Sequence, residues 1–253
     1  LHSQPVPQPP ERGRGTGQPL KDTMSGLVSM RAIAHVRSDF SSKFGVPRQS
    51  GLVPALEADV VFAPEFRNPD ALRGLEGFSH LWLIWVFDRA ARAQWSPTVR
   101  PPRLGGNARL GVFATRSPFR PNPVGLSVVE LAGIEETADR GPVLHIRGAD
   151  LMDGTPVLDI KPYLPYADCI PEAAGGFAAV PAGETLEVEI PPELLERVPP
   201  ERREALRGVL ALDPRPRYQE DPDRVYGFGF AGLEVRFSVA GKRLTVREIE
   251  AAP

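Results

Sequence analysis

Ala114-Thr115-Arg116-Ser117-Pro118-Phe119-Arg120-Pro121-Asn122-Pro123-Val124-Gly125 sets two arginines and a phenylalanine among three prolines. Each proline holds its φ at about −65° and removes a backbone donor, so the stretch reads as a stiff loop. Strand-like apolar runs flank it, Arg109-Leu110-Gly111-Val112-Phe113 before and Leu126-Ser127-Val128-Val129-Glu130-Leu131 after. A rigid arginine loop between strands can cradle a carboxylate or phosphate, because a guanidinium offers either one a planar fork. A proline-rich turn with solvated arginines fits the same letters.

Outward from this loop the strand signals continue. Arg31 to Val36 alternates, Leu56 to Phe62 looks like a second strand, and Ser79 to Phe87 is apolar on both faces, as a central strand would be. Pro142 to Arg147 is another, and three more close the chain at Val225 to Phe230, Leu233 to Val239 and Arg243 to Ile249. Two helices are expected, a short one capped at Asn68-Pro69-Asp70 and ended by Gly77, and a longer one over Pro192 to Leu212. The 29 prolines and 24 glycines argue for many turns and against a helical bundle. Residues 1–25, rich in proline and glycine, read as a disordered tail. The Ala/Gly-rich residues 173–182 read as a domain boundary.

At 42% hydrophobic and 25% charged the composition is ordinarily globular, with a net charge of −2. The charge is unevenly spread: Arg89 to Val129 holds seven arginines and no acid. That is an electrostatic footprint for phosphate or nucleic acid, or a basic surface balanced by acids elsewhere in the fold. The single cysteine, Cys169, excludes an internal disulfide and a thiolate metal cluster, suits a reducing cytosol, and reads as a small buried hydrophobe. No apolar run approaches the roughly 18 residues of a membrane span. No His or carboxylate spacing suits a metal site, and His80 and His35 read as structural. Gly227-Phe228-Gly229-Phe230-Ala231-Gly232 matches a dinucleotide fingerprint by letters, but a strand follows where a helix is required. Asp159, Lys161 and Tyr163 share one face of an alternating run, either as an ion-pair ladder or as a site.

The proline-arginine loop, together with Asp150-Leu151-Met152-Asp153-Gly154-Thr155-Pro156, Asp159-Ile160-Lys161-Pro162-Tyr163 and Asp213-Pro214-Arg215-Pro216, resembles the TrmO (YaeB/TsaA-like) family from about Ile33 to about Val246. The resemblance implies a mainly β, α+β fold: a single-sheeted antiparallel β-barrel over 26–176 and a small α+β domain over 177–253. It implies methyl transfer from S-adenosylmethionine to tRNA, at the exocyclic amino nitrogen of the threonylcarbamoyl-adenosine 3′ of the anticodon. It further implies a homodimer with the tRNA anticodon loop as partner, and the lone cysteine suits a cytoplasmic protein. Carried over residue by residue, cofactor contacts fall on Pro47, Arg48 and Gln49, on Arg116 and Leu126, and on Asp150, Leu151, Met152 and Asp153. They also fall on Asp88 and Arg89, where the family pattern has a histidine-bearing pair.

Such a cofactor carries its own electrophile, so the protein chiefly has to align methyl and acceptor. The conjugated acceptor nitrogen must lose a proton, and Asp159, Asp153 and Tyr163 are the candidate bases. A target in a single-stranded loop can be unstacked onto aromatic faces, here Phe119, Tyr163 and Tyr166. Arg120, Arg215 and Arg217 are candidate RNA contacts. The alternative is a non-enzymatic RNA-binding barrel, to which the acidic turn would add little. A phosphate-ester hydrolase lacks both a metal cluster and a nucleophile–histidine pair.

Overall fold

The computed structural model describes residues 28–90, 94–101, 104, 108–179, 185–215 and 221–252; the expected tail at 1–25 and Arg217 lie outside them. The first eight strands are β1 (Ala34–Ser38), β2 (Glu57–Phe62), β3 (His80–Val86), β4 (Thr98–Val99), β5 (Leu110–Gly111), β6 (Val124–Thr137), β7 (Gly141–Arg147) and β8 (Pro156–Pro162). Six of them close into a barrel in the order β1-β2-β7-β6-β3-β8. Every neighbouring pair is antiparallel, including the closing pair of β1 and β8. Closure leaves no open edge to pair with another chain.

Alternation decides what fills the barrel. Leu81, Leu83 and Trp85 of β3 point inward and are buried with Val36, Val60, Val129, Leu144, Ile146 and Val157. Trp82, Ile84 and Val86 point outward and are half-buried. A strand apolar on both faces is therefore not sandwiched here, because a single curved wall has only one interior face. Gly125 of β6 sits opposite Trp85. A Cβ there would fall far inside van der Waals distance of the indole ring, so only glycine leaves the ring its place.

Antiparallel pairing throughout has a geometric consequence. β1, β3 and β7 run toward one end of the barrel, and β2, β6 and β8 run away from it. The connections over residues 39–56, 87–123 and 148–155 therefore meet at that end, while 63–79 and 138–140 lie at the other.

After the one-turn α1 (Pro165–Asp168), the chain continues through β9 (Glu187–Glu189), α2 (Pro192–Leu195), α3 (Arg203–Ala211), β10 (Tyr226–Phe230), β11 (Leu233–Ala240) and β12 (Arg243–Ala251). These strands make a four-stranded sheet, β10-β11-β12-β9, with β9 parallel to β12. Ala205, Leu206, Val209 and Leu210 of α3 pack into the same core as Phe230, Phe237 and Ile249 of the sheet. That core also takes Phe40, Val53 and Leu56 from the 39–56 connection, so this segment is shared with the barrel end.

Both helix expectations need correction. The single helix over 192–212 is broken into α2, a 3-10 turn at Pro200–Arg202 and α3. Pro199 and Pro200 lack the backbone donors that continuity requires. The helix after Asn68 is two 3-10 turns, Pro69–Leu72 and Leu75–Gly77, parted by Gly74 at φ 90°. The Asn68 cap does form, its side chain accepting from the Asp70 amide at 3.0 Å. The rejected dinucleotide match is a hairpin: β10 turns into β11 through Ala231 and Gly232 at φ 51° and 75°.

A cleft of about 550 Å³ lies between Arg202 and the barrel wall, lined by Arg37, Asp39, Glu57, Asp59, His145 and Arg147 among others. Most of its charges are paired within it. Arg202 meets Glu57 at 2.7 Å and Asp39 at 3.2 Å, and His145 meets Asp59 at 2.7 Å and Glu135 at 3.0 Å. The hydrogen bond to Asp59 raises the His145 imidazole above its ordinary 6.5, against a smaller opposing effect of burial. Above about pH 6.5 the native state then holds more protons than the unfolded chain, so stability falls as pH rises through the raised value. Wild-type protein is expected to lose up to about 1 kcal/mol over this window, since the pair is partly solvent-screened. His145→Gln should lose that slope, read as urea midpoints from about pH 6 to about pH 8.

Candidate functional site

The three connections that meet at one barrel end carry residues 47–49, 88–89, 116 and 150–153, and Leu126 is the third residue of β6 from that end. Hydrogen bonds tie them together. Arg116 Nη1 donates to Gln49 Oε1, and Gln49 Nε2 donates to the Arg48 carbonyl. Arg89 bridges two segments, its Nη2 reaching the Asp153 carbonyl at 2.9 Å and its Nη1 the Ser41 carbonyl at 3.1 Å. Asp153 Oδ1 accepts from the Ser38 amide at 3.2 Å, and its Oδ2 lies 3.5 Å from Arg37 Nη1. The Gly51 amide donates to the Gly148 carbonyl at 2.8 Å, which fixes the 47–51 segment against the start of the acidic turn.

Beneath this surface runs a buried relay. Trp85 Nε1 donates to Ser127 Oγ at 3.0 Å, and Ser127 Oγ donates to Asp150 Oδ1 at 2.6 Å. A buried indole N–H needs an acceptor, and Ser127 on the inward face of β6 supplies it. Burial pushes the Asp150 carboxyl above the usual carboxylate range, opposed by the Ser127 hydrogen bond and by the nearby Arg116 guanidinium. Arg116 and the acidic turn therefore share one side of the molecule. The 550 Å³ cleft involves none of the residues carried over as cofactor contacts. We place the candidate site at the barrel end, because that is where the exposed Arg116 guanidinium and the half-buried Asp150 carboxyl converge.

The remaining candidates divide. Pro47 and Leu151 are buried, so their side chains support the end from within, while Arg48, Gln49, Asp88, Arg89 and Arg116 are exposed and Met152 is half-buried. Leu126 is 53% exposed on the outer face. Arg120 Nη1 turns back onto the Thr115 carbonyl at 3.2 Å, which braces the proline loop. Phe119 is half-buried, and its carbonyl accepts from the Ser96 amide. Asp159 is mid-strand, two strands from Leu126 through Ile84, about 10 Å at the usual strand spacing. Lys161 Nζ holds its Oδ2 at 3.0 Å and the Ile160 amide its Oδ1 at 2.9 Å, the ladder alternative for that face.

Tyr163 and Tyr166 follow β8 at the opposite end of the barrel. The Tyr163 ring lies 6.3 Å from His80 and 5.9 Å from Trp82, and burial, with Cys169 and Asp168, raises its phenol pKa. Tyr166 is 87% exposed. Arg215 closes its fork on Asp213 at 2.8 and 2.9 Å with only 13% of its side chain exposed, a poor posture for gripping phosphate. Cys169 is exposed, not buried as expected, because it caps the short α1 outside both cores.

Sequence reasoning passed over Trp85 and Ser127, hidden in runs that read as plain core. It also passed over Trp95, although a tryptophan in an acid-free, arginine-rich stretch with no large apolar residue beside it was a signal.

Two family models match the chain: tRNA-methyltransferase O N-terminal domain over residues 35–169 and TrmO C-terminal domain over 183–252. A relative from Escherichia coli (strain K12), named tRNA (adenine(37)-N6)-methyltransferase, is 45% identical over 226 residues, spanning 86% of this chain and 96% of that protein. The chain belongs to the TrmO family. Its closed barrel agrees with the crystal structure of TrmO from Pseudomonas aeruginosa, at TM-score 0.71 and 36% identity, covering 89% of this chain and 100% of that one. A shorter match, 40% identical over 142 residues (56% of this chain and 71% of the relative), is a Pyrococcus abyssi protein named for S-adenosyl-L-methionine binding. In this TrmO-family chain no helix of the described residues is long and apolar enough to cross a membrane.

Proposed function

We infer that this protein is a tRNA adenine-N6 methyltransferase. It moves a methyl group from S-adenosylmethionine to the exocyclic amino nitrogen of the threonylcarbamoyl-adenosine beside the anticodon. The observation that carries this reading is the meeting of residues 47–49, 88–89, 116 and 150–153 at one barrel end, stitched by Arg116 to Gln49 and by Arg89 to Asp153.

The donor set fits the cofactor. Arg116 offers a guanidinium to its carboxylate, the 150–153 turn offers acceptors to its amine and hydroxyls, and Leu126 offers an apolar face to its adenine. When bound, S-adenosylmethionine supplies a sulfonium-activated methyl. The protein's own work is then orientation and proton removal. The Trp85–Ser127–Asp150 relay fixes the turn from below, and Arg89 fixes it from the side. Asp153 lies in the turn itself, Asp159 is level with Leu126 but engaged by Lys161 and the Ile160 amide, and Tyr163 is at the opposite end, so we assign Asp153 as the acceptor of the amino proton. Residues 26–176 form the cofactor-binding domain and 177–253 a small C-terminal domain in this reading. It also includes a cytoplasmic homodimer, for which the half-buried outward row Trp82, Ile84 and Val86 offers an apolar face.

A non-enzymatic RNA-binding barrel gains little from a half-buried carboxyl beside an arginine. Calorimetry separates the two: the enzyme binds S-adenosylmethionine, and Arg116→Ala should weaken that binding by about 1.5–3 kcal/mol, the scale of a charge-assisted hydrogen bond. Absence of binding to the wild-type protein removes the enzyme reading. Transfer of labelled methyl to tRNA with and without the threonylcarbamoyl group identifies the acceptor.

A further inference from the structure

Trp95 and Phe113 are 50% and 73% exposed, and their rings lie 6.2 Å apart and within 25° of parallel. Both belong to the 87–123 connection, at the barrel end that carries Arg116. They are held firmly. β4 pairs with β5, the Val112 amide donates to the Pro97 carbonyl at 3.0 Å, and the Ser96 amide donates to the Phe119 carbonyl at 3.4 Å. Val112, next to Phe113, is buried and anchors that side. The hairpin thus presents two flat apolar faces to solvent beside the proline-arginine loop, at the hydrophobic cost of leaving large rings wet.

The surrounding charge selects the occupant. Arg100 and Arg109 are exposed at the other end of the same β4–β5 pair, past Val99 and Leu110, and the sequence holds no acid between Arg89 and Val129. A protein surface would need its own carboxylates to match this patch. A single-stranded nucleic acid matches it unaided, because each unit brings one flat π face and one phosphate. We propose that Trp95 and Phe113 are a stacking platform for a nucleobase of a single-stranded RNA loop, with the neighbouring arginines on its phosphates. The proposal rests on the tRNA reading above and extends it to two residues outside the cofactor seat.

The test uses the full chain and an anticodon stem-loop RNA bearing the threonylcarbamoyl-adenosine. Affinity is measured by fluorescence anisotropy over a salt series for wild type, Trp95→Ala, Phe113→Ala and Trp95→Phe. Each alanine variant is expected to raise Kd about 5- to 150-fold, the range for loss of one base–aromatic stack. The slope of log Kd against log salt should stay unchanged, since no phosphate contact is lost. Trp95→Phe should recover most of the affinity, and S-adenosylmethionine binding should match wild type throughout. Alanine variants that bind and methylate the stem-loop like an active wild type overturn the platform and leave the methyltransferase reading standing. A wild type that binds S-adenosylmethionine but not the stem-loop overturns the RNA reading and the platform together. A Trp95→Ala protein that sediments as a monomer where wild type is a dimer makes the pair a contact between copies, and overturns the platform alone.

Discussion

Gly125→Ala is expected to lower the unfolding free energy by about 2–3 kcal/mol, the upper range for overpacking a closed core. The added methyl would clash with the Trp85 indole, which its neighbours hold in place. The ring is also packed against Phe87 in a tilted contact, centroid to centroid at 4.2 Å, and its N–H is held by Ser127. Guanidinium denaturation measures the loss. Gly133→Ala, in the same strand with nothing within 4 Å of the new methyl, serves as the control and should be neutral or slightly stabilising. Function should suffer beyond stability. A displaced indole draws Ser127 away from Asp150, so S-adenosylmethionine affinity of folded Gly125→Ala should fall at temperatures where the protein remains native. A variant as stable as wild type would mean that the indole has another place to go.

The second large effect concerns the proton. Asp153→Asn keeps the shape of the side chain and a carbonyl acceptor for the Ser38 amide while removing the negative charge. If Asp153 takes the amino proton, kcat for methyl transfer should fall about 10²–10⁴-fold with far less change in KM for the cofactor. Asp159→Asn and Tyr163→Phe, one mid-strand and one at the far end of the barrel, should stay within a few-fold of wild type. An Asp159→Asn enzyme that loses activity while Asp153→Asn keeps it would move the site onto the outer wall.

The strands were legible because their evidence is local. Alternation in Arg31 to Val36 and the apolar run through Trp82 to Val86 are properties of neighbouring letters, and each run became a strand within a few residues of its expected ends. The long helix was not, because the apolar spacing across Leu194 to Leu210 is helical while Pro199-Pro200 stop the ladder in the middle. Closure into a barrel was legible only through the resemblance, since no residue of β1 announces that β8 will be its partner. At the site, the charged residues stood out by type, and topology then brought 47–49, 88–89, 116 and 150–153 to one end. The relay beneath them was silent in the sequence. Ser127 is a single hydroxyl in an apolar run, and its meaning depends on Trp85 across the strand and on Asp150 twenty-three positions on. Arg215 misled for the converse reason: a proline-flanked arginine resembles the first loop, but Asp213 two residues earlier neutralises it.

The 39–56 connection answers to two masters. Its Phe40, Val53 and Leu56 are bricks of the C-terminal core, while its Pro47-Arg48-Gln49 stretch forms part of the floor at the barrel mouth. Amputating the C-terminal sheet would therefore not yield a lean catalytic barrel. It would strip three greasy side chains bare and leave the mouth resting on an unsupported ledge.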